Sequence, residues 1–327
     1  MREQSVHHII AAYGLHGDGS AENLPDGAII PWLNDSKLAW AHLDAAHPDT
    51  RKWLNSKAVK LDRFVIDALL SEETRPRMLR HGDGCLLILR GVNLNENAQP
   101  EDMVSIRIWA EKHRIITLRR RPLKAANDIE NQLKAGIGPK DTGEFITSLV
   151  SRLSERMEPV LSGLDDQMDD IEEAVLDNVS ADQRSSIVNL RKQAIVFRRY
   201  IGPQRDAIFQ LRTANLPWLS EDNGRHLLES HNYVLRQVED LDAMRERAQI
   251  VKEELAAMIA DRMNKNMYVL SVIAAIFLPL GFLTGLLGIN VGGIPGADNP
   301  AAFWIFIALM GVIVTIQIFI FKKLKWF

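Results

Sequence analysis

The stretch MYVLSVIAAIFLPLGFLTGLL, Met267 to Leu287, decides the fold. It holds no Asp, Glu, His, Lys or Arg over about 21 residues, which at about 1.5 Å of helical rise per residue spans roughly the 30 Å hydrocarbon core of a bilayer. AAFWIFIALMGVIVTIQIFIF, Ala301 to Phe321, repeats the pattern. Buried helices of soluble proteins rarely stay uncharged for so long, and the connection Gly288 to Pro300 is short, so the pair reads as a transmembrane hairpin. Arg262 and Lys265 precede the first span and Lys322, Lys323 and Lys325 follow the second, whereas the loop has no Lys or Arg. The positive flanks put both termini in the cytoplasm and the loop outside, with Asp298 as its only formal charge.

Whole-chain averages conceal this segment, since 46% apolar and 25% charged residues are ordinary globular values and the net charge of −3 gives no footprint for nucleic acid. A single cysteine, Cys85, excludes a disulfide framework and a thiolate zinc cluster. His7, His8, Asp18 and Glu22 interrupt the first thirty residues, so no cleaved signal peptide is expected.

Upstream of the spans the expectation is an α+β (or α/β) domain over 1–140. Leu38–Leu43, Cys85–Leu94 and Val104–Arg119 read as strands, the last broken by a hairpin turn at Glu111-Lys112-His113. Asp62–Leu70 and Leu123–Leu133 read as helices. A long-helix region follows over 141–266, giving a chain that is mostly α overall. Leu161, Leu164, Met168, Ile171 and Val175 form one apolar stripe, a second helix covers about Ala181 to Ala214, and Ser220 caps a third. No Pro or Gly intervenes between Arg225 and Leu278, so this third helix is expected to run into the first span, about 100 Å in all. The remaining divisions are 267–287 and 301–321 for the spans, 288–300 for the loop and 322–327 for the basic tail.

Charges segregate. Asp165, Asp166, Asp169, Asp170, Glu172, Glu173 and Asp177 lie on one long helix, and Arg184, Arg191, Lys192, Arg198, Arg199, Arg205 and Arg212 on the next. An antiparallel hairpin is expected to set the two runs side by side, pairing them, with cation attraction by the acidic run as the functional reading. Candidate metal ligands are weak: His226 and Glu229 share a helix face, His231 follows, and Asp169 and Asp170 belong to the acidic run, yet none matches a strong zinc spacing. Ordinary helix-face histidines fit the same pattern.

The spans themselves contain no intramembrane ion pair or proton relay. Asn264, Met267, Ser271, Ala274, Leu278, Gly281 and Gly285 recur at three and four residues, giving a face polar at its ends and small in its middle. One hairpin cannot enclose water, so a pore along this face needs several identical subunits, with Met267, Leu270 and Leu278 as apolar constrictions. Small residues that simply pack helix on helix give the same pattern.

Gly288-Ile289-Asn290, directly after the first span, resembles the Gly-Met-Asn signature of CorA-type metal-ion transporters. Phe277-Leu278-Pro279-Leu280, the tail Lys322-Lys323-Leu324-Lys325-Trp326 and Glu72-Glu73-Thr74-Arg75-Pro76-Arg77 are similar to that family as well. Ile289 in place of Met, and the glycine-rich Val291-Gly292-Gly293-Ile294-Pro295-Gly296 in place of an acidic aromatic loop, resemble its ZntB branch. The resemblance implies a homopentameric funnel in the inner membrane, zinc as substrate with no cofactor, an Asn290 ring at the outer mouth, and a basic collar of Lys322, Lys323 and Lys325, and it leaves open stimulation of transport by a proton gradient. A magnesium or cobalt channel, or a membrane-tethered cytoplasmic sensor or scaffold, are the alternatives. An enzyme is not expected, and no phosphate loop for an ATP-driven pump is present.

Overall fold

The computed structural model describes residues 7–25, 27–35, 37–56, 59–72, 74–177, 180–289, 296 and 299–323. Packing divides the chain into two units, Met1–Lys252 and Glu253–Phe327.

The first unit opens with β1 (Ile9–Leu15), β2 (Ala21–Asn23), α1 (Ile29–Asn34), β3 (Ala39–Asp44), α2 (Pro48–Leu54) and α3 (Arg63–Leu70). It continues with β4 (Arg77–His81), β5 (Gly84–Gly91), β6 (Val104–Glu111), β7 (Arg114–Arg119) and α4 (Lys124–Lys134). The strands make one sheet of order β2-β1-β3-β7-β6-β5-β4, antiparallel except for the parallel β3–β7 pair. Side chains alternate across it with the strand period of two. Ala39, Ala41 and Leu43 face a core shared with Ile29, Leu54, Val65 and Leu69 of the first three helices. Trp40 points the other way and meets Phe145, ring centroids 5.1 Å apart. Both faces are therefore covered, which explains why β5 and β7 read as continuous apolar runs.

The hairpin at Glu111–His113 and the helices after Asp62 and Leu123 stand where the sequence places them. The strand expected over Cys85–Leu94 stops at Gly91. Asp62 caps α3 by accepting from the Phe64 amide at 2.7 Å. In the tight turn between β4 and β5, Gly82 takes φ +62°, which a side chain would strain.

Three long helices follow, α5 (Thr142–Asp177), α6 (Ala181–Thr213) and α7 (Glu221–Gly288), the last belonging to the first unit up to Lys252. Ser220 caps α7 through the Asn223 amide at 3.1 Å. Leu161, Leu164, Met168 and Val175 of α5 are buried with Ile187, Leu190, Ala194 and Phe197 of α6.

The expected pairing of the α5 acids with the α6 arginines is corrected by the structure. Apolar side chains fill the α5–α6 seam and leave the charges on other faces, so the ion pairs run to α7: Arg247 meets Asp165, Asp169 and Glu172, and Arg198 meets Asp242 at 2.9 Å. Among the described residues, no ion pair links the acidic run of α5 to the basic run of α6.

The second unit comprises the rest of α7 and α8 (Ala302–Lys323). Both contain a window long and apolar enough to cross a membrane, with its side chains exposed rather than buried. Such exposed apolar surface is costly in water and suits lipid or a partner copy.

Candidate functional site

Two faces of α7 can be told apart within the second unit. Val272 is buried and Ala275, Ile276, Leu280 and Leu283 are half-buried, a three-and-four spacing that marks the side packed on α8. Gln317 of α8 reinforces that contact by donating to the Ala275 carbonyl at 3.3 Å. Asn264, Met267, Leu270, Ser271, Ala274, Leu278, Gly281 and Gly285 are all exposed and lie on the opposite side of the helix. The stripe that the sequence singles out as a candidate pore lining is thus the one turned away from α8.

Its hydroxyl is internally satisfied, because Ser271 donates to the Met267 carbonyl at 2.8 Å. Its oxygen still has a lone pair for water. Beyond its own turn of helix, a Cβ added to Gly281 or Gly285 would meet nothing within 4 Å among the described residues. Close helix approach by other copies is a reason for such small residues.

Gly288 ends α7 and Ile289 follows it exposed. Asn290, Asp298 and Lys325 lie outside the described residues. Asn299 caps the second helix by accepting from the Ala301 amide at 2.9 Å. Lys322 and Lys323 occupy its last turn, exposed, where the negative end of the helix dipole favours cations.

The weak metal candidates are not gathered into one site. His226 stands 3.6 Å from the Asp222 carboxylate and Glu229 is one turn further along the same helix. His231 turns its ring toward Phe209 of α6, centroids 5.5 Å apart. His226 also borders a cleft of about 430 Å³ that contains Asp141, Glu144 and Glu155 with Lys140 and Arg152. Asp169 is engaged by Arg247, and Asp170 faces solvent. Among the described residues, no three His, Cys, Asp or Glu side chains converge to hold a metal ion.

Sequence reasoning missed Arg247. Its guanidinium binds Glu172 at 3.0 and 2.8 Å, Asp165 at 3.0 Å, and Asp169. The hydrogen bonds it donates to Glu172 and then to Asp169 hold it well above the ordinary arginine range. Nearby on the same seam, Tyr233 donates to Glu158 at 2.8 Å. Partial burial, and then Glu158, push that phenol up to about 12. The segment around Glu72–Arg77 is also explained: Arg120, Arg107 and Arg90 bond the carbonyls of Leu70, Ser71 and Thr74, tying the chain after α3 to the sheet. Glu73 lies outside the described residues.

Comparison with known proteins follows the same outline. Residues 35–323 match the family described as CorA-like Mg2+ transporter protein. The divalent cation transporter CmaX of Pseudomonas aeruginosa is 42% identical, over 97% of this chain and 96% of its own. The zinc transport protein ZntB of Pectobacterium carotovorum is 36% identical, over 97% and 95%. The solved structure of full-length CmaX matches with a TM-score of 0.86 at 40% identity, covering 99% of this chain and all of that one.

Proposed function

The chain belongs to the CorA-like Mg2+ transporter family, a family of ion transporters and not of enzymes, and from that premise we propose that it moves zinc across the inner membrane as a homopentamer. The ion travels largely hydrated along an axis lined by Asn264, Met267, Leu270, Ser271, Ala274, Leu278, Gly281 and Gly285. The observation that carries this reading is the exposure of that whole stripe on the side of α7 away from α8. A stripe that packed helix on helix inside one chain would be covered.

Asn290 contributes an outer ring whose amide oxygens bind the water shell of a dication without stripping it, since an amide offers only partial charge. Gly288 and Ile289 set its position, and Asp298 is the loop's one carboxylate. Lys322, Lys323 and Lys325 form a cytoplasmic collar that repels cations until it moves outward. Both termini are cytoplasmic, and zinc is cargo, with no cofactor required. His226, Glu229, His231, Asp169 and Asp170 are left as surface groups that can recruit cations weakly.

Zinc is preferred over magnesium for Ile289 and the glycine-rich loop, and the resemblance to ZntB proteins at 33–36% identity agrees. The test is flux into proteoliposomes loaded with a zinc-sensitive dye, repeated with magnesium and cobalt. Zinc entry above the other two supports the reading. Equal or faster magnesium entry makes the protein a general divalent channel, and no flux of any ion makes it a tether.

A further inference from the structure

The outward faces of α5 and α6 are complementary to each other but not joined within the chain. On α5, Asp165, Asp169 and Glu172 turn to Arg247, while Asp166, Asp170 and Glu173 fall on the face opposite the buried stripe and are exposed. Among the described residues, these three have no ion-pair partner, and no Lys or Arg occurs between Asp165 and Asp177. On α6, Arg184, Val188, Lys192, Ile195 and Arg199 share the face opposite Ile187, Leu190, Ala194 and Phe197. Val188 and Ile195 are 47% and 43% exposed there, and Leu176 beside the α5 acids is 67% exposed. Arg184, Lys192 and Arg199 meet no carboxylate among the described residues. Cations interleaved with exposed aliphatics make a surface that is only half suited to water.

The geometry points to a contact between copies of this chain in which the α6 face of one protomer, through Arg184, Val188 and Lys192, docks on Asp166, Asp170 and Glu173 of α5 in the next. This rests on the oligomeric reading given above and names the surfaces that would join the cytoplasmic units. Three arguments choose a second copy as occupant. The chain carries both halves of the contact, which is what a heterologous, ring-closing interface requires. α5, α6 and the first part of α7 contact one another, so the outward faces of α5 and α6 diverge and cannot satisfy each other in one chain. The register also matches. α5 ends at Asp177 and α6 begins at Ala181, and Glu173 and Arg184 stand about equally far from that junction along the sequence, as do Asp166 and Lys192, with Asp170 level with Val188. Side-by-side copies related by an axis along the helices bring acid opposite base at two levels. The apolar residues between them are covered at the same time.

The test uses the full-length protein in detergent. Cys85 is buried and its thiol is pushed up to about 12 by that burial, so it stays out of the reaction. The pairs E173C/R184C and D166C/K192C are each oxidised with copper phenanthroline, after light scattering has given the mass of the untreated sample. The expected result is a ladder of covalent oligomers on non-reducing gels, at least about tenfold above either single-cysteine variant, since a disulfide demands Cα atoms about 4.4–6.8 Å apart. In the D166C/K192C background, E173K or R184E alone should lower the yield several-fold and the two together should restore it. No ladder from either pair in a sample of oligomeric mass overturns this contact and leaves the oligomer standing. A monomeric mass overturns both.

Discussion

Arg247 of α7 and Glu172 of α5 form a two-pronged ion pair, Nε to Oε1 at 3.0 Å and Nη2 to Oε2 at 2.8 Å, although 75 residues separate them. Both are about one-third exposed, so solvent screening reduces what the pair is worth. The geometry is bidentate, however, and the same guanidinium separates three carboxylates that would otherwise repel. Arg247→Ala is expected to destabilise the cytoplasmic unit by about 1–2 kcal/mol, and more at low salt than at high salt. Thermal melts at two ionic strengths check this. An unchanged Tm at both would reduce the cluster to a surface ornament.

His42 of β3 is buried, with Nδ1 2.7 Å from the Thr117 hydroxyl and Nε2 without a hydrogen-bond partner. Burial, and then nearby Arg119, push its imidazole down to about 3. The folded protein therefore prefers the neutral ring. The stability this supports is fully present above the unfolded value of about 6.5 and is lost as pH falls toward 3, by up to about 1.4 kcal/mol per pH unit. His42→Phe is expected to remove about 2 kcal/mol of the loss between neutral pH and pH 5. Tryptophan-fluorescence melts of the wild type and the variant at both pH values give the difference. Parallel losses would mean that other groups carry the acid sensitivity.

The long elements were legible because each obeys one period for many residues. The hairpin of β6 and β7 announces itself by two apolar runs around Glu111–His113, and the spans by their lack of charge. β4, RMLRH, is an edge strand that is mostly exposed, so nothing in its sequence alternates. β1 is rich in small residues, and α1 has Pro31 within its six residues. The partner of the α5 acids was not legible because charge segregation along a sequence does not say which side of a helix faces the core. That depends on where Leu164 and Met168 bury themselves, and they turn Asp169 and Glu172 toward α7. The stripe proposed to line a pore was visible as a period in α7. Its direction relative to α8 became visible only through the half-buried set around Val272 and Ala275.

Gly281 separates an assembly role from a packing role. Beyond its own turn of helix, no atom of the described residues lies within 4 Å of a Cβ built on it, and Val costs an isolated helix no more than Gly does. Gly281→Val should leave the monomer fold intact and lower zinc flux about tenfold by crowding the helices of neighbouring copies. Circular dichroism and flux are measured on the same sample. Wild-type flux with wild-type helicity would move the pore to another face.

Asn290→Ala should leave the oligomer intact while reducing zinc flux and its preference over magnesium. The amide's hydrogen bonds to the hydrated ion are the proposed basis of choice, and each such bond contributes about 1 kcal/mol, or several-fold in selectivity. Competition between the two ions in proteoliposomes reads both quantities. Unchanged selectivity would remove the filter role from this position.

Coupling to a proton gradient is constrained by what the spans contain. From Met267 to Phe321 the one carboxylate is Asp298, and there is no histidine. A proton cotransporter needs a titratable group that alternates its exposure along the ion path. The membrane potential offers another source of energy, because each elementary charge gains about 2.3 kcal/mol per 100 mV and a dication roughly twice that. Zinc entry is therefore expected to follow voltage, to reverse with the zinc gradient, and to carry no fixed proton count. The decisive measurement is proton movement during zinc flux with the potential clamped at zero by an ionophore. Its absence fits a channel driven by voltage and concentration. Proton flux that persists at zero potential and disappears in Asp298→Asn would assign coupling to the outer loop. Flux that survives that substitution would require the acids and histidines of the cytoplasmic unit, and the passive reading would fall.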